Sequence, residues 1–442
     1  MTQSAHQTPS LANERAGVAP WALILIALAI GAAYANSLNN EFVFDDVSSI
    51  PENPTIRHLW PMWGALTPPN DSGQTVSGRP ILNLSFAVNY AFWGMKVRGY
   101  HAANVAIHIL AAFALFGIVR RTVRRAGEAL GRNATAIAFF SALIWGLHPL
   151  QTESVSYVVQ RAESLMGLFF LTSLYGVIRA SESEGGSWYW SLLGVGAAVL
   201  CAGTKEVSVS LPVVVLLYDR TFLAGSFAGA LRKRRYLYVG LAASWLVVVW
   251  LAISNGDRGG TIGVRAGITP WDYVLCQCRG LFHYLRLCFW PTPLIFDYGT
   301  NFVSIGEALP WAVVLVFILV ATGYGLARRP ALGFLGAWFF LILAPTSSFV
   351  GGTRQMLAEH RIYLSLAAVI VGVVLLVYRY LGSKAVSLGV IVSAALLAIT
   401  AARNATYSDG FSLAKDTVLH RPDNAWAQVG LAGFLADQPG RE

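Results

Sequence analysis

Apolar runs separated by short polar connections recur along the whole chain: Trp21 to Ala35, then 101–119, 134–149, 162–178, 188–204, 207–218, 236–254, 310–327, 331–345, 362–378 and 385–402. About 20 apolar residues in a helix cross a hydrocarbon core, and only a backbone that satisfies its own hydrogen bonds can do so. The pattern therefore predicts an all-α integral membrane protein, a bundle of about eleven transmembrane helices. The stretch from Trp271 to Pro293 departs from it, because it is fairly apolar yet contains Arg279, His283 and Arg286. An arginine at the bilayer centre costs about 2.5 to 3.5 kcal/mol on insertion scales, so this segment is read as a re-entrant or interfacial helix. Ile81 to Trp93 alternates apolar and polar positions as an amphipathic helix lying on the membrane. The first run follows a polar head carrying Arg15 and ends in small residues that mimic a cleavage site; an anchor is the preferred reading.

Composition agrees with this pattern. Of 442 residues, 55% are hydrophobic and 12% charged, against roughly 25% charged in soluble domains. Eleven spans leave loops but no room for a second large catalytic domain, which confines any chemistry to loops and helix ends. The net charge of +9 suggests nucleic acid only until the basic residues are placed. Arg120, Arg121, Arg124, Arg125 and Arg132 share one short connection; Arg220, Arg232, Lys233, Arg234 and Arg235 share another. This is the positive-inside signature, with anionic lipid as the partner, and nucleic acid is not expected. With residues 1–18 as a cytoplasmic N-terminus, the transmembrane domain covers 19–402, and three polar regions fall outside: a first loop at 38–99, a second at 255–309, and a tail at 403–442. Cys201, Cys276, Cys278 and Cys288 lack the spacing of a zinc site or disulfide framework and are read as packing residues.

Candidate chemistry concentrates on the outer side. Asp45 and Asp46 form a carboxylate pair about ten residues past the first run; two adjacent acids interact, so one can keep a raised proton affinity and the other stay ionised, as a general base requires. A solvated acidic turn or a helix cap is the alternative. Glu153, with Arg161 and Glu163 after it, sits at the mouth of a span, where charges are costly unless paired or wet. Lys205 and Glu206 sit between two runs with almost no loop, as an interfacial ion pair or part of an anion site. Arg361 and Tyr363 lie at the outer mouth of the tenth run, suited to holding phosphate oxygens, and Arg79, Arg98 and His101 form a further basic group. Cations and a few acids on one side of a membrane suit a substrate with an anionic head and a neutral reacting part, such as a lipid-phosphate sugar.

Several blocks, in order, resemble one family. They are Asn40-Glu-Phe-Val-Phe-Asp45-Asp46; Gly78-Arg79-Pro80 leading to Asn83-Leu-Ser-Phe and Asn89-Tyr90; Gly99-Tyr-His101-Ala-Ala-Asn104 before His108; His148-Pro-Leu-Gln-Thr-Glu153-Ser-Val with Gln160-Arg161-Ala-Glu163; Lys205-Glu206; Phe296-Asp297-Tyr298; Glu359-His-Arg361-Ile-Tyr363-Leu; and a tetratricopeptide-like start near Asn424. Singly weak, together they resemble the transmembrane and tetratricopeptide-repeat-containing (TMTC-type) protein O-mannosyltransferases of the GT-C superfamily. That resemblance implies a GT-C fold, a polyprenyl-phosphate monosaccharide donor and a hydroxyl acceptor, protein Ser or Thr above all. It implies Asp45 as catalytic base, Asp46 as its positioning or acceptor-binding neighbour, and Glu163, with Glu153 as alternative, as the second-loop acid. It also implies Arg161, Lys205 and Arg361 as leaving-phosphate contacts. About one helix of the family's repeat array is expected in the tail, either a vestige that packs on the membrane domain or the start of a longer array, and the arginine-rich inner loops suit a bacterial inner membrane with the site facing the periplasm.

The expected reaction is an inverting displacement at the anomeric carbon without cofactor or metal, since two adjacent acids lack a clear third ligand and no glycine-rich phosphate loop is present. The rivals are a transporter or flippase for a lipid-linked glycan, which predicts an internal hydropathy repeat and midplane charges, and an inert scaffold. The few charges lie at span ends instead.

Overall fold

A computed structural model describes residues 19–69, 74–183, 188–255, 268–348 and 355–436, and among these every regular element is a helix. The predicted cytoplasmic head 1–18 lies outside the described residues, as do 256–267 of the second outer loop and 437–442 of the tail. Each of the eleven apolar runs is helical. Five helices, Val97–Arg124, Val158–Glu182, Arg235–Ser254, Ile305–Arg328 and Lys384–Tyr407, are long and apolar enough to cross a membrane singly. Two more qualify as bent pairs, Ala134–Gly146 with Pro149–Ser156 at 54° and Glu206–Leu223 with Phe227–Lys233 at 103°. The other runs give the helices Pro20–Ala33, Trp188–Ala202, Pro330–Leu343 and Leu366–Leu381, of 14 to 16 residues, or about 21 to 24 Å at 1.5 Å per residue. By length, then, five to seven of the described segments qualify where the pattern predicts eleven. The difference arises because apolar runs cross helix breaks. One of them ends at Pro149, which has no N–H for the helix before it and opens a 3-10 turn.

Membrane residence rests on exposure as well as composition. Only 6% of the most apolar window of Ile305–Arg328 and 17% of that of Arg235–Ser254 is buried inside the protein. Faces so long and so apolar are not left to water; lipid covers them. Ile305–Arg328 is opened by a capping box between Ser304 and Glu307 and followed by Pro330, which starts Pro330–Leu343. The two run together as a close hairpin, and a Cβ at Gly333 would overlap backbone atoms of Gly325 and Leu326. Gly333→Ala is expected to cost roughly 1 to 3 kcal/mol through this overpacking, read as a lowered Tm in detergent; an unchanged Tm would count against so tight a contact.

The helix Val97–Arg124 orders the two ends of the bundle. Its start carries His101 and Asn104, bonded to Asn40 O and to Val155 O and Val158 O. Its end carries Arg121 and Arg125, both paired with Glu182. Twenty-eight residues separate these ends by about 42 Å. At the His101 end a second apolar core, including Ile50, Phe86, Tyr157, Phe296 and Leu413, unites the first outer loop, the break before Arg161, the second outer loop and the tail. The segment 81–93 is helical as expected, within Pro80–Trp93, but its faces are not divided into apolar and polar: it buries Leu82, Asn83, Phe86, Ala87 and Asn89 and exposes Val88, Phe92 and Trp93. The 271–293 segment folds as one continuous helix, Pro270–Phe289, and is not among the apolar spans.

Candidate active site

The segment before the carboxylates turns sharply. Phe44 has φ 47°, a conformation side chains with a Cβ rarely adopt, and a short helix Asp45–Ser49 begins directly after it. Beyond this turn one acid is exposed and the other buried, and the two still interact, since the Asp45 charge adds to the rise of the Asp46 carboxyl. Asp46 is fully buried; its Oδ2 accepts from Val43 N at 3.1 Å and its Oδ1 from Val159 N at 2.6 Å, clamping the first loop to the turn before Arg161. Asp45 is exposed, with its backbone N–H donating to Tyr157 Oη at 3.0 Å and its Oδ2 accepting from Thr75 Oγ1 at 3.0 Å. Burial pushes the Asp46 carboxyl up to about 8, against the backbone donors that lower it. Partial desolvation by the surrounding protein raises the Asp45 carboxyl above the usual range even though the residue keeps an exposed face, opposed by the Thr75 hydroxyl and the Arg79 charge.

Arg79 connects this carboxylate to the cations. Its Nη1 donates to Thr75 O at 2.8 Å, and its Nη2 pairs with Glu206 at 3.0 Å. Lys205, next in chain, pairs with Glu163 at 2.7 Å, with both side chains buried. Lys205 and Glu206 thus do not pair with each other, as an interfacial ion pair would require, because the extended backbone at Lys205 sends adjacent side chains to opposite sides. Glu153 accepts from His360 Nδ1 at 2.6 Å and from His360 N at 2.8 Å. Glu359 accepts from Ile295 N at 2.6 Å and Tyr298 Oη at 2.7 Å, and burial pushes it up to about 8. Glu153, Lys205, Glu163, Arg79 and Arg361 all act electrostatically on the His360 region, which makes these remote blocks one cluster.

Arg161 stands apart in its partners. It is buried, with Nε donating to Asn104 Oδ1 at 2.6 Å, Nη1 to Ser85 O at 3.2 Å and Nη2 to Tyr100 O at 3.0 Å. No carboxylate lies within ion-pair distance of it among the described residues, Glu153 and Glu163 included. Arg161 lines a cavity of about 510 Å³ whose walls are otherwise mostly apolar, among them Leu84, Val88, Phe92, Ile107 and Leu165, with Ser85 and Asn89 as its other polar residues. The cavity lies between the helix Pro80–Trp93 and the spans Val97–Arg124 and Val158–Glu182.

Two expected site residues point elsewhere. The Tyr363 side chain enters the helix bundle, where its hydroxyl meets His108 Nδ1 at 2.8 Å and its ring packs on Trp145; it is core, because the 3-10 turn Glu359–Ile362 rotates it away from Arg361. His101 is buried against Asn40 O. Arg361 is held by Tyr273 Oη at 2.8 Å, Met356 O at 3.0 Å and Gln355 O at 2.6 Å, at the edge of the cluster. The sequence reading did not single out Thr75, Tyr157, His360 or Arg403. His360 was discoverable between two quoted charges; Thr75 carried no local signal. Among the described residues, no group of three or more His, Cys, Asp and Glu side chains gathers as a metal holder.

Arg79 offers a direct test of this wiring. If Asp45 acts as a base it must be ionised, so activity falls as pH drops through its raised pKa. Removing the Arg79 charge lifts that pKa further. Arg79→Gln is therefore expected to move the acid limb of kcat to higher pH, and an unmoved limb would show that Arg79 does not act on Asp45.

No family model matches the chain. The protein O-mannosyl-transferase TMTC2 of Mus musculus is 35% identical over 211 residues, 44% of this chain and 23% of that protein. The Xenopus laevis tmtc2 is 32% identical over 349 residues, 70% of this chain and 39% of its own length. TMTC4 of Homo sapiens is 30% identical over 403 residues, 78% of this chain and 53% of that protein. Among solved structures, ArnT from Cupriavidus metallidurans bound to undecaprenyl phosphate aligns with a TM-score of 0.47 and 15% identity, over 95% of this chain and 80% of that one. The chain thus spans about half or less of the length of these curated relatives, and within that span it is similar to TMTC protein O-mannosyl-transferases.

Proposed function

We propose that the chain is a GT-C-type glycosyltransferase that moves a mannose-like monosaccharide from a polyprenyl-phosphate donor to a hydroxyl acceptor, a protein Ser or Thr, on the outer (periplasmic) face of a bacterial inner membrane. The observation that carries this reading is Arg161. A buried cation without a carboxylate partner is costly, and this one borders an apolar cavity open between helices, the surroundings that a phosphate on an isoprenoid chain would complete. The names of the TMTC relatives support transfer of mannose to protein.

In this reading the isoprenoid lies in the cavity and its phosphate meets Arg161, with Lys205 and Arg79 as further cations at the same end of the bundle. Asp45 takes the proton of the acceptor hydroxyl. The hydroxyl oxygen then bonds to the anomeric carbon as the carbon–oxygen bond to phosphate breaks, and the phosphate leaves with the bonding electrons, inverting the centre. Positioning of the reactants and fixed positive charge where the leaving phosphate develops its own supply the rate. Asp46, Glu153 and Glu163 hold this geometry from inside.

The test is purified protein given a polyprenyl-phosphate mannose and a Ser/Thr peptide, with release of polyprenyl phosphate followed alongside glycopeptide. Stoichiometric release and glycosylation, persisting in EDTA, are expected. Movement of the lipid-linked sugar across a vesicle without bond cleavage would replace this reading with a transporter.

A further inference from the structure

From the packing of the tail on Phe44, the residue before Asp45, we infer that Trp426 is an acceptor-contacting residue that selects polypeptides with an apolar or aromatic side chain beside the acceptor hydroxyl. The inference rests on the proposed transferase reading. Three rings from three remote segments stack in a row: Trp426 of the tail lies 5.0 Å from Phe44, and Phe44 lies 4.9 Å from Phe296, centroid to centroid. The middle ring belongs to the residue immediately before Asp45 and sits on the positive-φ backbone already described. Strain of this kind persists where the surroundings over-determine it, often at functional sites.

The tail is fixed rather than laid loosely over the site. Arg403 pairs with Asp416 at 2.7 Å, Ser408 O accepts from Glu41 N at 2.9 Å, and Asn424 Nδ2 donates to Asp297 O at 3.1 Å. Asn424 Oδ1 also caps Ala427 N at 3.1 Å, which sets the start of the helix Ala425–Ala436 and hence the direction of Trp426. So firmly held a segment nevertheless leaves Trp426 56% exposed against Phe44, whose chain neighbour Asp45 is also exposed. The open apolar surface continues to Val429, 72% exposed, one turn farther along, a distance of about 5 Å. A single sugar ring would need only the indole; an extended peptide, at about 3.3 Å per residue, reaches both. Aromatic faces supply large contact area and favour tilted stacking with other rings.

The experiment uses the full chain and two Ser/Thr peptides that differ only in an apolar or a glycine residue flanking the hydroxyl. Trp426→Ala is expected to raise KM for the apolar-flanked peptide about tenfold, with kcat and the donor KM within twofold of the unaltered chain. Trp426→Phe is expected to restore most of the loss, and the glycine-flanked peptide to be nearly indifferent. An acceptor KM unchanged in Trp426→Ala overturns the inference, as does an equal rise for both peptides or a loss confined to kcat. If the unaltered chain transfers no sugar and releases no polyprenyl phosphate, the functional reading fails and this one falls with it. Transfer without a Trp426 effect overturns this inference alone.

Discussion

Asp45→Asn is expected to lower sugar transfer by about 10²- to 10⁴-fold, the range general-base catalysis contributes, while the protein folds and extracts from the membrane as before. The side-chain oxygen of Asn still accepts from Thr75, and the backbone bond to Tyr157 is untouched; only the ability to take a proton is lost. Asp46 behaves differently. Its carboxylate closes the first loop on Val43 N and Val159 N, so Asp46→Ala leaves buried donors without acceptors, at about 1 to 3 kcal/mol for each such group, and the loss appears first in Tm. Full activity of Asp45→Asn with a lipid-phosphate sugar would sink the assignment.

The second large effect lies in the buried pair beneath. Lys205 and Glu163 meet at 2.7 Å with side chains 5% and 2% exposed. Removing one partner strands the other charge, which typically costs about 3 to 5 kcal/mol, whereas removing both together is often nearly neutral. Lys205→Met and Glu163→Gln are each expected to melt well below the unaltered chain in detergent, and K205M/E163Q to recover much of that loss. Activity then separates packing from chemistry. In the proposed reading Lys205 helps to stabilise the leaving phosphate, so the double variant is expected to regain its fold yet still transfer sugar at least about tenfold more slowly, the rate cost of about 1.4 kcal/mol of transition-state stabilisation. A double variant that regains both stability and rate would reduce the pair to a structural role.

Burial explains why these two carboxylates, Asp46 and Glu163, do not resemble Asp45 in their expected phenotypes. All three are acidic residues in outer segments. Asp45 remains at the surface with one side-chain donor, whereas Asp46 is buried with both oxygens on backbone donors and Glu163 is buried against Lys205. An exposed carboxylate can meet a substrate; a buried one with its lone pairs occupied holds the parts that do.

The apolar periodicity determined the helical class, the membrane setting and the position of every apolar run, because a backbone in hydrocarbon has few solutions and each leaves a long mark in the sequence. The same scarcity of charge reduced the candidate site to a handful of residues, and Asp45, Asp46, Glu153, Arg161, Glu163, Lys205, Glu206, Arg79 and Arg361 do gather at one end of the bundle. Run lengths did not determine span lengths, since 3-10 turns and Pro149 interrupt apolar stretches without changing their hydropathy. Nor did adjacency determine pairing. Lys205 chooses Glu163 and Glu206 chooses Arg79, Tyr363 turns into the core, and Trp426 packs on Phe44 from 382 residues away along the chain. Those outcomes depend on which helices pack together and how each break rotates its neighbours, and that information resides in long-range contacts, which a local pattern of residues does not carry.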